Sequence, residues 1–393
     1  MDPLKNPFSP GAGTPPPELA GRSEILRQAL VTLARVKRGR AEKSILVIGL
    51  RGTGKTVLLH EISKLAENEN YHAAMVEAHE KKSLAEVLLP ELRRLLFNLN
   101  KSERVNIKVQ RALRVFKSFL SSVKISAKLG DMELGLSIDS EKGSADSGDL
   151  ESDLAQVFIA LGEAAQACQT AIAIIIDELQ YLSEEELSSL IMSMHKISQK
   201  SLPIVLFGAG LPQLVAKAGN AKSYAERLFD YPELGPLNKK DAALALQGPA
   251  QQENASFTQE AIDEIIRVTQ GYPYFLQEWG YQAWNLAQSA PIDLIAAKQA
   301  TKASIQRLDQ SFFRVRFDRL TPREKQYLRA LATLGSEPQR SGDVAEKLGM
   351  DVQNAAPLRN NLIKKGMIYS PKHGDTAFTV PLFEGFMKRI MPL

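Results

Sequence analysis

The sequence predicts an α/β fold, in which a parallel sheet with flanking helices is followed by a helical lid and a C-terminal winged helix. The first observation is a set of short apolar runs without polar alternation, which is typical of strands buried on both faces of a parallel sheet. The second is that helical patterns separate these runs, as right-handed crossovers require. The third is a C-terminal group of three helical patterns and two extended segments.

A chain of 393 residues is too long for one core, so we expect several domains. We predict a proline-rich flexible leader at 1–20 and a core at 21–237, with inserted helices and a β-hairpin at 83–153. A helical lid and linker at 238–317 and a winged helix at 318–393 follow.

Each element rests on a local pattern. Six prolines lie within residues 1–20, and because proline removes backbone donors and fixes φ, this stretch is expected to be extended or disordered. Apolar runs predict strands at 44–48, 73–76, 171–176 and 203–207. Helical periodicity predicts helices at 23–36, 55–66, 83–99, 102–120, 239–251, 258–270 and 273–288.

The segment 123–138 predicts a hairpin. Apolar residues alternate with polar ones on both sides of Gly130 and Asp131, which can form a two-residue turn. Pairing Leu129 with Met132 puts all the apolar residues on one face, which we expect to fold back onto its own domain. The serine-rich, acidic stretch 139–153 is predicted to be a mobile loop.

Composition excludes several classes of protein. The apolar and charged fractions, 44% and 24%, exclude a fibrous or wholly disordered chain. The single cysteine, Cys168, excludes an internal disulfide framework and a cysteine-rich zinc site. The longest apolar run, 171–176, is far too short to cross a bilayer. Since the N-terminus also lacks the pattern of a secretion signal, we expect a cytoplasmic protein.

The excess positive charge lies at one end of the chain. Residues 318–393 carry 12 Lys and Arg against 8 Asp and Glu, which accounts for the whole net charge of +4. The remainder of the chain is therefore balanced. A basic C-terminal module is a modest indication of contact with nucleic acid.

Residues 49–56 match the motif G-x-x-x-x-G-K-[ST], between an apolar run and a helical pattern. Its glycines let backbone N–H groups surround the β-phosphate of a nucleotide, Lys55 adds charge at the β- and γ-phosphates, and the Thr56 hydroxyl ligates Mg²⁺. A chance match in a glycine-containing turn is the alternative, but it would not require this flanking strand and helix. The motif predicts a site for ATP and Mg²⁺ formed by Gly49, Arg51, Gly52, Thr53, Gly54, Lys55, Thr56 and Val57.

The apolar run 174–176 ends in Asp177 and Glu178. We expect Asp177 to join Thr56 at the Mg²⁺ ion, and Glu178 to act as the general base on water. The alternative is an ordinary strand-to-helix junction, since 183–186 also form a capping box.

These motifs resemble the AAA+/STAND P-loop ATPases, and more narrowly archaeal-type ATPases and origin-recognition-type initiators with a C-terminal winged helix. The resemblance covers nearly the whole chain after the leader. The segment 19–24, Leu-Ala-Gly-Arg-Ser-Glu, is similar to a box beside the adenine and implies contacts from Gly21 and Arg22. Residues 224–229 resemble the segment that presents an arginine, here Arg227, to a neighbouring subunit. Gly271-Tyr272-Pro273 resembles the STAND lid signature, which implies a nucleotide contact from Pro273.

Two departures from the family pattern imply a nucleotide-gated switch with slow turnover and argue against a fast motor. The strand at 204–207 runs into Gly208-Ala209-Gly210, where many AAA+ members place a polar sensor side chain. The helix after Pro273 begins Tyr-Phe-Leu-Gln, without the sensor arginine of many AAA+ lids.

The C-terminal module is predicted as a winged helix-turn-helix. Thr321 and Pro322 start the first helix, 341–348 gives the second, and the third runs from about 352 to 365, where Pro357 implies either a break or a register that the sequence does not fix. The candidate DNA-binding residues are Gln353, Asn354, Arg359, Asn360, Lys364 and Lys365 on the third helix, with Lys372 and His373 in the wing. Winged helices also serve as packing modules, and this one is only mildly basic.

Two functional hypotheses follow. The first is an ATP-dependent switch that assembles when nucleotide binds and acts on double-stranded DNA through its winged helix, with Lys55, Glu178 and Arg227 as the catalytic residues. The second is a signalling or interaction ATPase whose winged helix binds a protein. A small-molecule P-loop kinase explains neither the Asp-Glu pair nor the appended modules.

Overall fold

The computed structural model describes residues 1–11, 13–100, 106–122 and 139–392, which form two compact units. The first unit contains Met1–Arg22, Gly49–Gly54 and Leu234–Leu393, and the second contains Ser23–Ile48 and Lys55–Glu233. The boundary between the units therefore passes through the P-loop sequence.

The second unit is built on a parallel sheet. Its strands are β1 (Ser44–Gly49), β2 (Tyr71–Glu77), β3 (Ala171–Asp177), β4 (Ile204–Gly210) and β5 (Phe229–Asp230), in the order β2-β3-β4-β1-β5, and a further short strand, β6 (Glu233–Leu234), pairs with β1. Every residue of β1, β3 and β4 is buried, as the unbroken apolar runs predict. The predicted α/β fold with a parallel sheet is confirmed.

Among the described residues, this unit has eight α-helices. They are α1 (Ser23–Lys37), α2 (Lys55–Asn68), α3 (Leu84–Asn100), α4 (Ile107–Ser122), α5 (Leu150–Ala167), α6 (Glu184–Gln199), α7 (Gln213–Ala221) and α8 (Ala225–Leu228). The predicted capping box is present at the start of α6, where Ser183 and Glu186 exchange hydrogen bonds with each other's backbone. The predicted hairpin at 123–138 lies outside the described residues.

The stretch 139–153 differs from the mobile loop that its composition predicts. Its end forms the first turn of α5, and the carboxylate of Asp153 accepts hydrogen bonds from the N–H groups of Ser147 and Gly148. Asp153 is buried, as is Ala145 in the preceding segment. The prediction of mobility is wrong here because serine and acidic side chains satisfy backbone donors and fix the turn.

The first unit contains the lid helices α9 (Lys239–Gln252), α10 (Gln259–Thr269), α11 (Pro273–Leu286), α12 (Leu294–Gln310) and α13 (Phe312–Asp318). The patterns at 239–251, 258–270 and 273–288 predict the first three of them, and α12 and α13 fall in the stretch predicted only as linker. Trp279 and Trp284 on α11 are both buried in the core of this unit, as expected for structural tryptophans.

The C-terminal segment has a winged-helix-like topology. It contains α14 (Pro322–Leu334), β7 (Gln339–Arg340), α15 (Ser341–Lys347), α16 (Val352–Lys364), β8 (Ile368–Tyr369), β9 (Asp375–Phe378) and α17 (Phe383–Ile390), with antiparallel strand order β7-β9-β8. The predicted break at Pro357 does not occur, because α16 continues through it while burying Ala355 and Leu362. Proline costs a helix one N–H donor, a loss that packing offsets here.

The N-terminal leader is held against the lid. Phe8 is only 2% exposed and packs over Gly280, while the indole N–H of Trp284 donates to the carbonyl of Asp2 at 2.8 Å. The side-chain amide of Asn6 donates to the carbonyl of Tyr281 at 3.0 Å. The predicted flexibility is therefore wrong for this part of the leader, because one aromatic anchor and these hydrogen bonds offset its proline content.

The lid and the winged-helix-like segment share one hydrophobic core. Phe313 of α13 contacts Phe383 and Phe386 of α17, with ring centroids 5.5 Å and 5.4 Å apart. Arg389 and Asp309 join the same two segments by a bidentate ion pair at 2.7 Å. The C-terminal segment is thus part of the first unit and not a module on a free linker.

In the described ranges, every helix is too short or too polar to cross a membrane.

Candidate nucleotide-binding site

The P-loop glycines adopt the backbone conformation that a phosphate-binding turn requires. Gly52 and Gly54 have φ angles of +83° and +91°, which strongly favour glycine. Inside the turn, the Thr53 hydroxyl donates to the Leu50 carbonyl at 2.9 Å, and the Thr53 side chain is buried. The loop is therefore held in shape by its own contacts, so its N–H groups need little rearrangement to bind an anion.

The lid turn packs against the P-loop within the first unit. The Tyr274 N–H donates to the Gly52 carbonyl at 3.2 Å, and the Tyr272 hydroxyl donates to the carbonyl of Arg51. A Cβ atom at Gly52 would lie 3.0 Å from the Tyr272 ring, so this close approach also requires glycine. Pro273, predicted to contact nucleotide, is the first residue of α11 between these two tyrosines.

Arg22 binds the P-loop backbone. Its guanidinium donates to the Thr53 carbonyl at 3.0 Å and to the Gly235 carbonyl at 3.1 Å, and the side chain is buried. Burial lowers its pKa, and the carboxylate of Asp241 partly offsets that effect. Gly21 has a φ of +69° beside the same carboxylate. Arg22 therefore helps to hold the P-loop backbone in its conformation.

In the second unit, β3 and α2 bring Thr56 and Asp177 together. The Thr56 hydroxyl donates to the Asp177 carboxylate at 2.6 Å, and Asp177 is 5% exposed. Burial raises the pKa of Asp177, which the hydrogen bond from Thr56 counteracts. Because burial outweighs the stabilisation from these neighbours, a bound cation would further stabilise the ionised carboxylate.

The donor set suits Mg²⁺ in a complex with phosphate. Hydroxyl and carboxylate oxygens are the ligands Mg²⁺ prefers, and it normally takes one or two of them with phosphate oxygens and water. The described ranges hold no group of three or more His, Cys, Asp and Glu residues placed to bind a metal. Thr56 and Asp177 thus fit an ion brought by a nucleotide better than a permanent metal site.

Glu178 is held by a residue that the sequence analysis did not single out. The Gln180 side-chain amide donates to the Glu178 carboxylate, and its oxygen accepts the Leu211 N–H at 3.1 Å. Glu178 itself has a φ of +56°, in the left-handed region. Gln180 therefore links the proposed base to the end of β4. In the sequence, the only signal for Gln180 is its position two residues after Glu178, so a motif that ends at the Asp-Glu pair does not include it.

The end of β4 is too crowded for a side chain. A Cβ atom at Gly208 would lie 2.9 Å from a methyl carbon of Leu46 and still closer to Leu179, and one at Gly210 would lie 2.7 Å from Leu214. Packing thus explains why glycines stand where many AAA+ members place a polar residue.

Arg227 lies in the second unit on the short helix α8 and is exposed. It lines a cavity of about 240 Å³ together with Arg40, Glu42 and Lys43. Its side chain therefore faces solvent rather than the Asp177 and Glu178 pair on β3.

The candidate DNA-binding residues fall into two groups. Exposed side chains are Gln353, Asn354, Asn360, Lys364, Lys372 and His373. Arg359 donates to the Thr376 hydroxyl and the Asp375 carbonyl, each at 2.8 Å, and Lys365, although exposed, forms an ion pair with buried Glu324 at 2.7 Å. Arg359 and Lys365 thus help to hold the wing and the helices together.

Comparison with known proteins agrees with the fold. Residues 18–207 match the AAA ATPase domain model, and residues 310–387 match a domain of unknown function. A Walker-type ATPase of Pyrococcus abyssi is similar in structure at 17% identity, with a TM-score of 0.55 over 95% of this chain and 97% of that one. The Orc1 protein of Aeropyrum pernix, solved in complex with DNA, has 14% identity and a TM-score of 0.48 over 95% and 94%. Comparison with curated proteins gives no match.

Proposed function

We propose that this protein is an AAA+ P-loop ATPase and a nucleotide-gated switch, which binds Mg²⁺·ATP, hydrolyses it slowly, assembles with nucleotide and acts on double-stranded DNA. The proposal that the protein binds a nucleotide rests on the complete P-loop motif, in which Gly52 and Gly54 have positive φ angles, and on the hydrogen bond between Thr56 and Asp177. Lys55 supplies positive charge to the phosphates, and Thr56 and Asp177 hold the Mg²⁺ ion, which polarises the phosphate when bound.

In the proposed reaction Glu178 takes the proton of the attacking water. The Gln180 side-chain amide donates to the Glu178 carboxylate and so helps to orient it toward the water. The glycines at the end of β4 contribute no polar side chain of their own to the reaction, which supports slow turnover. Arg227 completes the site of a neighbouring copy in this proposal, and its exposure on α8 is compatible with that role.

The test uses Lys55→Ala and Glu178→Gln, with Lys64→Ala as the matched control, because Lys64 lies on the same helix but is exposed beside Glu61. Fluorescent nucleotide titration should show no binding for Lys55→Ala. Glu178→Gln should bind ATP normally while its turnover falls about a hundredfold or more. Normal turnover in either variant would contradict the proposed mechanism.

Support for DNA action comes from charge and exposure. All the net charge of +4 lies in residues 318–393, and Lys364 and Lys372 present exposed cations on α16 and the wing. Exposed Gln353 and Asn354 at the start of α16 supply the amide groups that read bases in a major groove.

A second candidate function is a signalling or interaction ATPase with a protein partner. It is favoured by the shared core of the lid and the C-terminal segment, and by the use of Arg359 and Lys365 in internal contacts. The two functions differ in one measurable respect. Salt-dependent binding of the protein to duplex DNA would support action on DNA. If the nucleotide-bound protein does not bind duplex DNA, that result would support a protein partner.

A further inference from the structure

A lysine from α7 holds the end of the backbone turn that follows β3. After Glu178 the chain forms a single 3₁₀ turn, Leu179–Tyr181. The last carbonyls of a helical turn have no partner within it. Here the Lys217 ammonium donates to the Gln180 carbonyl at 3.2 Å and to the Leu182 carbonyl. Lys217 therefore closes the end of this turn through two backbone oxygens.

Lys217 uses its charge differently from other lysines of the second unit. Lys108 and Lys222 form ion pairs with Glu163 and Glu151. Lys217 is half-buried, and its ammonium bonds to main-chain carbonyls. Partial removal of an ammonium from water is unfavourable, and charge-assisted hydrogen bonds offset that cost. The contact therefore fixes the position of the turn as well as that of the lysine.

The same turn carries the proposed base. Glu178 enters it with a φ of +56°, a backbone conformation that is uncommon outside glycine. The Gln180 side-chain amide donates to the Glu178 carboxylate, and the Gln180 main chain accepts the hydrogen bond from Lys217. Lys217 and Glu178 are thus joined through one residue.

The strand β4 holds the other side of the turn. Leu179 is fully buried and packs closely against Gly208. The Gln180 side-chain oxygen accepts the Leu211 N–H at 3.1 Å. With β4 on one side and Lys217 at the end, the Gln180 backbone is held from two directions, so its amide reaches Glu178 from a fixed position.

We propose that Lys217 is a positioning residue for ATP hydrolysis, which holds the backbone of Gln180 so that the Gln180 amide keeps the Glu178 carboxylate directed at the attacking water. This inference rests on the proposed function, in which Glu178 is the base, and extends it to a residue of α7. A misplacement of about 1 Å can cost about a hundredfold in rate. Because Lys217 belongs neither to the P-loop nor to the pair of Mg²⁺ donors, its loss should slow the reaction and leave nucleotide binding intact.

The experiment measures ATP turnover and nucleotide affinity for Lys217→Met in the full chain with Mg²⁺. Methionine keeps an apolar stem without the ammonium, so turnover should fall about tenfold. The dissociation constants of ADP and of a non-hydrolysable ATP analogue should change by less than about twofold, since the phosphate contacts remain. Lys217→Arg keeps the charge and the donors, and its turnover should stay within about threefold of the unmodified protein. Lys222→Met, which removes the ion pair with Glu151 directly after α7, is the matched control and should leave turnover unchanged.

A double variant separates positioning of the base from a general structural role. If Lys217 acts through Glu178, adding Lys217→Met to Glu178→Gln should lower turnover no further, because the effects of residues that act as a unit are not additive. An equal fall in that background would overturn the proposal, and so would unchanged turnover in Lys217→Met. Equal losses of turnover in Lys217→Met and Lys222→Met, or in Lys217→Met and Lys217→Arg, would also overturn it. If Lys217→Met does not fold, as judged by circular dichroism, the shorter Lys217→Gln is judged by the same criteria.

Failure of the proposed function would be recognised separately. Normal turnover in Glu178→Gln refutes the role of the base, and normal binding in Lys55→Ala refutes the nucleotide site. If both of those variants behave as proposed and Lys217→Met turns over ATP normally, only the role of Lys217 is refuted.

Discussion

At the scale of single residues, Gln180 shows what a motif leaves out. The Asp-Glu pair identifies Glu178 from the sequence, because the chemistry of the motif is local. Nothing local identifies Gln180, whose oxygen bonds to Leu211, 31 positions later in the chain. Motif residues could therefore be predicted, and the residues that position them could not.

We expect Gln180→Ala to lower the turnover of ATP by about tenfold to a hundredfold while nucleotide affinity stays within a factor of two. The reason is that Glu178 loses the donor that fixes its carboxylate, but the phosphate contacts are untouched. Steady-state turnover and nucleotide titration measure the two effects separately. Gln199→Ala, at the exposed end of α6, is the control. A variant with unchanged turnover would show that Gln180 does not position the base.

At the scale of helices and strands, prediction succeeded where one pattern dominated. The runs that became β1 and β3 are uniformly apolar, and buried parallel strands require that composition. The helix α5 was missed because its N-terminal turn is acidic and serine-rich while its remainder is nearly all apolar, so neither half shows a clear period of 3.6. The proline-rich composition of the leader predicts flexibility. In the structure, however, the buried ring of Phe8 helps to hold this part of the leader against the lid.

The exposed surface of α16 and the wing gives a test at this scale. Replacing Lys364 and Lys372 together with Glu should weaken duplex binding and reduce the slope of log affinity against log salt by about 2, one for each phosphate contact. Fluorescence anisotropy over a salt series measures both quantities. Replacing exposed Lys298 and Lys388 with Glu changes the net charge equally at other positions of the same unit. If both double variants behave alike, α16 and the wing do not contact DNA.

At the scale of the whole molecule, the P-loop belongs to two units. Gly49–Gly54 are part of the unit that contains the lid and the C-terminal segment, and Lys55 begins the helix of the other. The sequence predicts the lid and the C-terminal segment as successive domains, but their shared core makes them one body. Local patterns cannot reveal this, because the contacts join residues that are far apart in the sequence, such as Asp309 and Arg389, which are separated by 80 positions.

Nucleotide-dependent assembly is tested by mass. Light scattering of the full chain should give a monomer with ADP and a larger species with a non-hydrolysable ATP analogue, since the proposed neighbour contact by Arg227 responds to the triphosphate. Arg227→Ala should keep nucleotide affinity but lose this mass increase, whereas Arg27→Ala, exposed on α1, should retain it. A monomer under every condition would refute assembly and favour the monomeric signalling protein.

The first unit is formed by segments that are far apart in the sequence, and this affects the order in which it can fold during synthesis. The carbonyl of Asp2 accepts a hydrogen bond from Trp284, and that of Gly52 accepts one from Tyr274. These contacts of the leader and the P-loop can therefore form only after the lid has been synthesised. The sheet is complete in sequence by Leu234 and can pack while the ribosome is still adding the lid. The phosphate-binding turn thus acquires these neighbours only after the lid has been translated, and contacts between such distant positions form slowly. A nascent chain truncated before the lid would carry the whole P-loop motif without Tyr272 and Tyr274, the two residues that pack against it.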